Sequence, residues 1–240
     1  MKKIAEFLDK YFVNTKWTCA VCGKDIFNDE YFCEDCLKTL PKNDKAICLH
    51  CGRKVHITQN YCLSCKERMT SVSLARSAFN YDIPISHLIQ ALKYSGKKYL
   101  AEVFAKSLNE VYEGGDLTAD FMTFVPMTKA SQEKRGFNQS QLIAEKLSIL
   151  NGLKVENILE KKKDTDRQAT LDKFQRMLNL KNAFKVTDKK LVKNKTILVI
   201  DDVLTTGSTA ESIAETLKKA GAFRVKLLTV ASVATDITFE

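Results

Sequence analysis

Residues 195–213 read "KTILVIDDVLTTGSTAESI". The segment "TILVI" (196–200) is apolar throughout, as a strand buried on both faces of a parallel sheet must be. Its carboxyl end delivers two adjacent carboxylates, Asp201 and Asp202. "TTGST" (205–209) follows and feeds a helix expected from about Thr209 to Ala220, with Gly221 as its cap. The N–H groups at a helix N-terminus lack partners and carry partial positive charge, so they bind phosphate. Gly207 permits a tight turn, and Thr205, Thr206, Ser208 and Thr209 add hydroxyl donors. Beside a phosphate, the two acids suit hydroxyl groups or Mg²⁺. The loop therefore wants a ligand with a phosphate at one end and a diol or metal at the other, and a phosphorylated ribose has both.

Blander readings explain less. Ser and Thr ahead of a helix are ordinary N-caps, which accounts for "STAE" (208–211) but not for the two acids. The acidic pair of a receiver domain follows the first strand, whereas these acids lie near the C-terminus. A P-loop needs a lysine before its hydroxyl residue, and none is present.

Outward from this loop, strand-like and helix-like segments alternate. Residues 72–81 and 121–126 read as strands, 155–161 as a strand candidate and 225–233 as a strand. Residues 84–96, 97–115 and 138–150 read as helices. Residues 161–184 are charged and weakly periodic, an excursion from the core. The pattern implies an α/β domain with a mainly parallel sheet flanked by helices, which binds ligands at the carboxyl ends of its strands. Three loops stand there: 126–138, 161–178 and 201–209. The first carries Lys129 and Arg135, suited to the oxygens of a diphosphate.

The N-terminal part has a different design. Its eight cysteines form four CxxC pairs, Cys19/Cys22, Cys33/Cys36, Cys48/Cys51 and Cys62/Cys65. The last two pairs repeat the first two at an offset of 29 residues, neighbours included: "CAVCGK" (19–24) against "CLHCGR" (48–53). CxxC-x10-CxxC is the pattern of a zinc ribbon, whose four thiolates close a tetrahedral site and leave no position for water. Two structural Zn²⁺ are expected. The repeat favours sequential pairing of the cysteines, with interleaved pairing as the alternative. His50 and His56 lie close by but are expected to stay outside cysteine-complete sites. The cysteine spacing ends near residues 66–74, which suggests an N-terminal module over 1–70 and the α/β domain over 71–240.

Composition narrows the setting. The chain has 240 residues and a formal charge of +9. Eight thiolates and two Zn²⁺ lower that charge to about +5. No run of about 18 apolar residues suggests membrane insertion. "MKKIAEFLDKYFVNTKW" (1–17) reads as an amphipathic helix with Ile4, Phe7, Leu8 and Tyr11 on one side, not as a signal peptide. Paired cysteines that bind metal fit a cytoplasmic protein. Residues 124–181 hold 12 Lys+Arg against 7 Asp+Glu, an excess that suits DNA and a diphosphate site equally.

"ILVIDDVLTTGSTA" (197–210) resembles the signature of type I phosphoribosyltransferases, which bind 5-phosphoribosyl-1-diphosphate (PRPP). The resemblance implies that Asp201 and Asp202 face the ribose hydroxyls as catalytic residues. It also implies that Thr205, Thr206, Gly207, Ser208 and Thr209 wrap the 5-phosphate, with Mg²⁺ accompanying PRPP. "ALKYSGKK" (91–98), "VPMTKASQEKRGFNQSQLIAEKL" (125–147) and "DTDRQATLDKFQRMLNLKNAF" (164–184) extend the likeness over nearly the whole chain, to the ComF family. That family is associated with natural competence and with incoming single-stranded DNA. Loop 161–178 takes the place of the transferases' flexible hood, with Arg167, Gln168 and Arg176 as its candidate residues.

Two functions stay open on this reading. One is transfer of a phosphoribosyl group from PRPP to an unidentified acceptor. The other is a non-catalytic protein that uses the PRPP site as a ligand sensor while its zinc module docks DNA or a helicase-like competence protein. A transcriptional switch is a weaker third.

Overall fold

The computed structural model describes residues 17–27, 31–67, 70–162 and 183–234. The expected N-terminal helix and nearly all of the hood segment, including Arg167, Gln168 and Arg176, lie outside them. Compactness divides the chain into Met1–Leu40 and Pro41–Glu240.

In the first unit, Cys19 N–H donates to the Lys24 carbonyl and Gly23 N–H to the Cys19 carbonyl, closing a tight knuckle. A single antiparallel bridge, Thr18 to Asp25, flanks it. Helix α1 (Glu34–Thr39) starts at Cys33 and carries Cys36. Ile26 and Val21 pack with Cys19, Cys33 and Cys36 in a small apolar cluster.

The second unit begins with the same device, 29 residues on. Cys48 N–H donates to Arg53, Gly52 N–H donates to Cys48, Ile47 bridges Lys54, and helix α2 (Leu63–Glu67) follows Cys62. The sequence repeat is thus a repeat of backbone hydrogen bonds.

The sheet of this unit contains β1 (Leu74–Asn80), β2 (Phe121–Phe124), β5 (Thr196–Leu204) and β6 (Arg224–Ser232), in the order β1-β6-β5-β2, all parallel. Between β1 and β2 run α3 (Ile85–Tyr94) and α4 (Leu100–Glu113). Between β2 and β5 come α5 (Lys129–Arg135), α6 (Gln139–Asn151), the antiparallel pair β3 (Leu159–Lys161) and β4 (Phe184–Val186), and the short α7 (Lys189–Val192). Helix α8 (Ser208–Lys219) joins β5 to β6.

Strand β5 explains its own sequence. Side chains alternate between the two faces of a strand, and both faces here are covered. Ile197 and Val199 join Ile213, Leu217, Val225 and Leu227 in the core under α8. Leu198 and Ile200 are equally buried and turn to the opposite face, where α4 and α6 pack together over the sheet. Each fully buried Leu or Ile contributes about 1.5–3 kcal/mol. The strand continues past Ile200 to Leu204, so Asp201 and Asp202 are held by sheet hydrogen bonds rather than by a loop.

The second ribbon covers the outer edge of β1. Ala75 N–H donates to the His50 carbonyl, Asn80 N–H to Pro41, and Asn43 N–H to the Ala78 carbonyl. The Asn43 side-chain amide adds bonds to the carbonyls of Gly52 (2.6 Å) and Ser77 (3.3 Å). The approach is close enough to demand glycine at 52, where φ is +68° and a Cβ would lie 2.5 Å from the Ala75 oxygen.

Candidate functional site

Strands β2 and β5 are neighbours, so their carboxyl ends lie side by side. Val125 N–H donates to the Ile200 carbonyl just beyond the end of β2. The segment "RGFNQS" (135–140) is built on this junction. Gly136 ends α5, and Asn138 caps α6 by accepting from the N–H groups of Ser140 and Gln141. The buried Asn138 amide also donates to the Val125 carbonyl at 3.0 Å, which ties the start of α6 to the end of β2. That anchorage points Gln139 and Ser140 at the acids. Gln139 donates to Asp202 at 2.8 Å, and the Ser140 hydroxyl donates to Asp201 at 3.0 Å.

Asp202 is also ion-paired with Lys93 at 2.7 Å, with the two side chains only 14% and 8% exposed. Lys93 lies in the last turn of α3. Next to it, the Tyr94 ring carries the Arg135 guanidinium over its face, 5.3 Å from the centroid. Arg135 in turn donates to the side-chain amide oxygen Oε1 of Gln139. A chain of contacts therefore runs from Arg135 through Gln139 to Asp202.

Beyond the acids, Gly207 adopts a left-handed conformation (φ +84°) and Ser208 opens α8. The Thr206 and Ser208 hydroxyls lie 2.9 Å apart. Thr205 is exposed, while Thr206 to Thr209 are half-buried. Lys129 is exposed at the first position of α5. Among the described residues no hydrogen bond or ion pair joins Lys129 to the acids. The segment holding Lys129 and Arg135, expected as a loop, is a seven-residue helix capped by Thr128.

Electrostatics separates the two acids. Burial pushes the Asp201 carboxyl up to about 7, the neighbouring Asp202 carboxylate adds to the rise, and the Asp202 N–H, Lys93 and Ser140 oppose it. The folded chain then keeps a proton that the unfolded chain releases near pH 4. Ligand-free stability accordingly falls as pH rises from about 4 to about 7 and levels off above that. Thermal unfolding of the parent and of Asp201→Asn across pH 4–8 should show a gap that closes toward pH 4, with the variant the more stable at pH 8. A constant gap would refute this assignment.

The cysteine clusters meet the geometry that zinc requires. Cys19, Cys22, Cys33 and Cys36 form one group and Cys48, Cys51, Cys62 and Cys65 the other, each with its sulfurs within 4.8 Å of one another. The pairing is therefore sequential. A tetrahedron with Zn–S bonds of about 2.3 Å has S···S edges of about 3.8 Å. Cys22 to Cys33 measures 3.8 Å and Cys51 to Cys62 3.7 Å. His50 stands outside its cluster, with Nε2 2.5 Å from the Thr70 hydroxyl. Four thiolates per site support structural zinc. Among the described residues no helix is long and apolar enough to cross a membrane.

A parallel sheet whose acid pair and hydroxyl loop sit at the carboxyl end of β5 defines a type I phosphoribosyltransferase-like domain, here preceded by a double zinc ribbon. Residues 129–237 match the phosphoribosyl transferase domain family and residues 15–69 the double zinc ribbon domain family. The chain is 28% identical over 202 residues to Competence protein F of Haemophilus influenzae, across 81% of this chain and 86% of that protein. It is 30% identical over 192 residues to DNA utilization protein YhgH of Escherichia coli K12, across 78% and 84%. Against Competence protein ComFC of Bacillus subtilis the identity is 26% over 199 residues, across 80% of each. The chain belongs to the ComF family.

Sequence reasoning placed the acids and the hydroxyl loop in the candidate site. It did not assign Gln139 and Ser140 as the partners of the acids, although both lie in the quoted "RGFNQS". The signal available was Asn138, a helix cap directly preceding two polar residues that turn out to be buried.

Proposed function

We propose that this protein binds PRPP and acts in natural competence, handling incoming single-stranded DNA in the cytoplasm, with phosphoribosyl transfer to an unidentified acceptor as its chemistry. The observation that supports this most is the acid pair, braced by Lys93, Gln139 and Ser140, directly ahead of a hydroxyl loop that opens α8. Asp201 and Asp202 accept hydrogen bonds from the ribose hydroxyls. The 5-phosphate takes the N–H groups and hydroxyls of Thr205, Thr206, Gly207, Ser208 and Thr209. Arg135 and Lys129 neutralise the diphosphate as the bond from ribose C1 to its oxygen breaks and the acceptor bonds to C1. Diphosphate leaves with the electron pair. Mg²⁺ bound with PRPP would supply further charge neutralisation, and two carboxylates offer oxygen donors suited to it. The hood segment, with Arg167, Gln168 and Arg176, would exclude water. The module over 1–70 would set the domain over 71–240 against DNA or a helicase-like partner.

One observation favours a second reading. Asp202 is already ion-paired with Lys93, so a ligand must share or break that pair, and such a rearrangement serves a sensor as well as an enzyme. The discriminating measurement is diphosphate release from PRPP in the presence of single-stranded DNA or nucleobases. Release that depends on the acceptor is expected. PRPP binding without turnover across a broad acceptor panel would leave the sensor standing. DNA binding is tested by a mobility-shift titration at several salt concentrations, and no shift at low salt would remove it.

A further inference from the structure

The second zinc knuckle sends one side chain into the phosphate loop. Arg53 follows Gly52 directly, and its guanidinium Nη2 lies 3.2 Å from where a Cβ on residue 207 would stand. The residue is only 6% exposed, and its Nε has no hydrogen-bond partner among the described residues. An arginine stays charged in any protein setting. Burying that charge with a donor unsatisfied is unfavourable unless something completes it.

The zinc ribbon itself does not require this burial. The repeat places Lys24 at the corresponding position of the first ribbon, and Lys24 is 69% exposed beside Asp35 at 3.9 Å. Both residues supply the same knuckle carbonyl, to Cys19 N–H and Cys48 N–H respectively. Only the side chain at 53 is turned inward. The one acid in the first turn of α8, Glu211, accepts from the Ser71 N–H at 2.6 Å. No ion pair between Glu211 and Arg53 occurs among the described residues. Gly207 makes room at this point twice over, through its left-handed backbone and through the missing Cβ.

We propose that Arg53 is a phosphate ligand of the 205–209 loop, so that the second zinc ribbon completes the ribose-phosphate site. The proposal rests on the PRPP reading above and adds a residue from outside the transferase motif. A guanidinium fork against the N-terminus of a twelve-residue helix would hold a phosphate dianion from two sides. The ribbon then contributes to ligand binding, in addition to any role in docking a partner.

The test is titration of the zinc-loaded protein with PRPP, ribose 5-phosphate and inorganic phosphate. Arg53→Gln is expected to weaken all three by about 10–100-fold, with two zinc ions per chain retained. Arg53→Lys, which keeps the charge but loses the fork, should fall between it and the parent. Lys24→Gln should match the parent. The Asp201→Asn/Asp202→Asn protein should lose PRPP but keep inorganic phosphate, which separates the phosphate half of the site from the ribose half. Parental affinity in Arg53→Gln overturns the proposal and leaves the PRPP reading intact. A variant that only melts earlier, with its affinities unchanged, overturns it equally. A parent protein that binds none of the three removes both.

Discussion

Asp201→Asn/Asp202→Asn is expected to bind PRPP about 10²–10⁴-fold more weakly than the parent. On the proposed PRPP reading each carboxylate would accept a charged hydrogen bond from a ribose hydroxyl, and each such bond is worth about 1.5–3 kcal/mol. The single variants should differ in stability, because the two acids are held differently. Asp202 neutralises Lys93 and accepts from Gln139. Asp202→Ala would strand both, at a cost of about 1–3 kcal/mol. Asp201 is the acid whose carboxyl is driven toward its neutral form by burial and by Asp202. Asp201→Asn should therefore unfold at a higher temperature than the parent at pH 8, while still losing the ligand. Calorimetric titration with PRPP and thermal unfolding of the same preparations read both effects. Unchanged PRPP affinity in the double variant would exclude Asp201 and Asp202 as ribose ligands.

The second large effect concerns metal. Cys48→Ser opens the site whose knuckle is hydrogen-bonded to β1, and that strand pairs with β6 in the sheet that carries the candidate site. Structural zinc stabilises its fold by about 10 kcal/mol or more. Loss of even part of this should lower the main unfolding transition by about 10 °C or more. Cys19→Ser, in the other compact unit, should leave that transition in place. Elemental analysis should give two zinc ions in the parent and one in each variant. Equal thermal effects from the two substitutions would contradict the division between Leu40 and Pro41.

The comparison of sequence with structure is uneven, for physical reasons. The passage from β5 into α8 was legible because the acids, hydroxyls and glycine of the candidate site follow one another in the chain. The ribbons were legible because metal geometry imposes spacing, and the 29-residue repeat is also a repeat of backbone bonds. Helix α5 was missed because it has seven residues, none of them buried, and so carries no apolar stripe to read. The bracing of the acids by Lys93, Gln139 and Ser140 joins α3 and α6 to β5, contacts that no local pattern encodes. Arg53 was the hardest residue to find. Its neighbours in "CLHCGR" match "CAVCGK", and only the fold distinguishes an inward arginine from an outward lysine. Gly52 shows the same divergence, since a Cβ at Gly23 would meet nothing within 4 Å while one at Gly52 would strike the Ala75 carbonyl.

The hydrogen bonds that His50, Pro41 and Asn43 make along the outer side of β1 have a consequence for biosynthesis. An open strand edge is a template for pairing with other chains, and here the guard over that edge is held in shape by metal. Chains made in zinc-poor medium would expose β1 while the rest of the sheet is forming. The expected outcome of metal starvation is therefore self-association through that strand and a lower yield of dispersed protein, before any question of ligand binding arises.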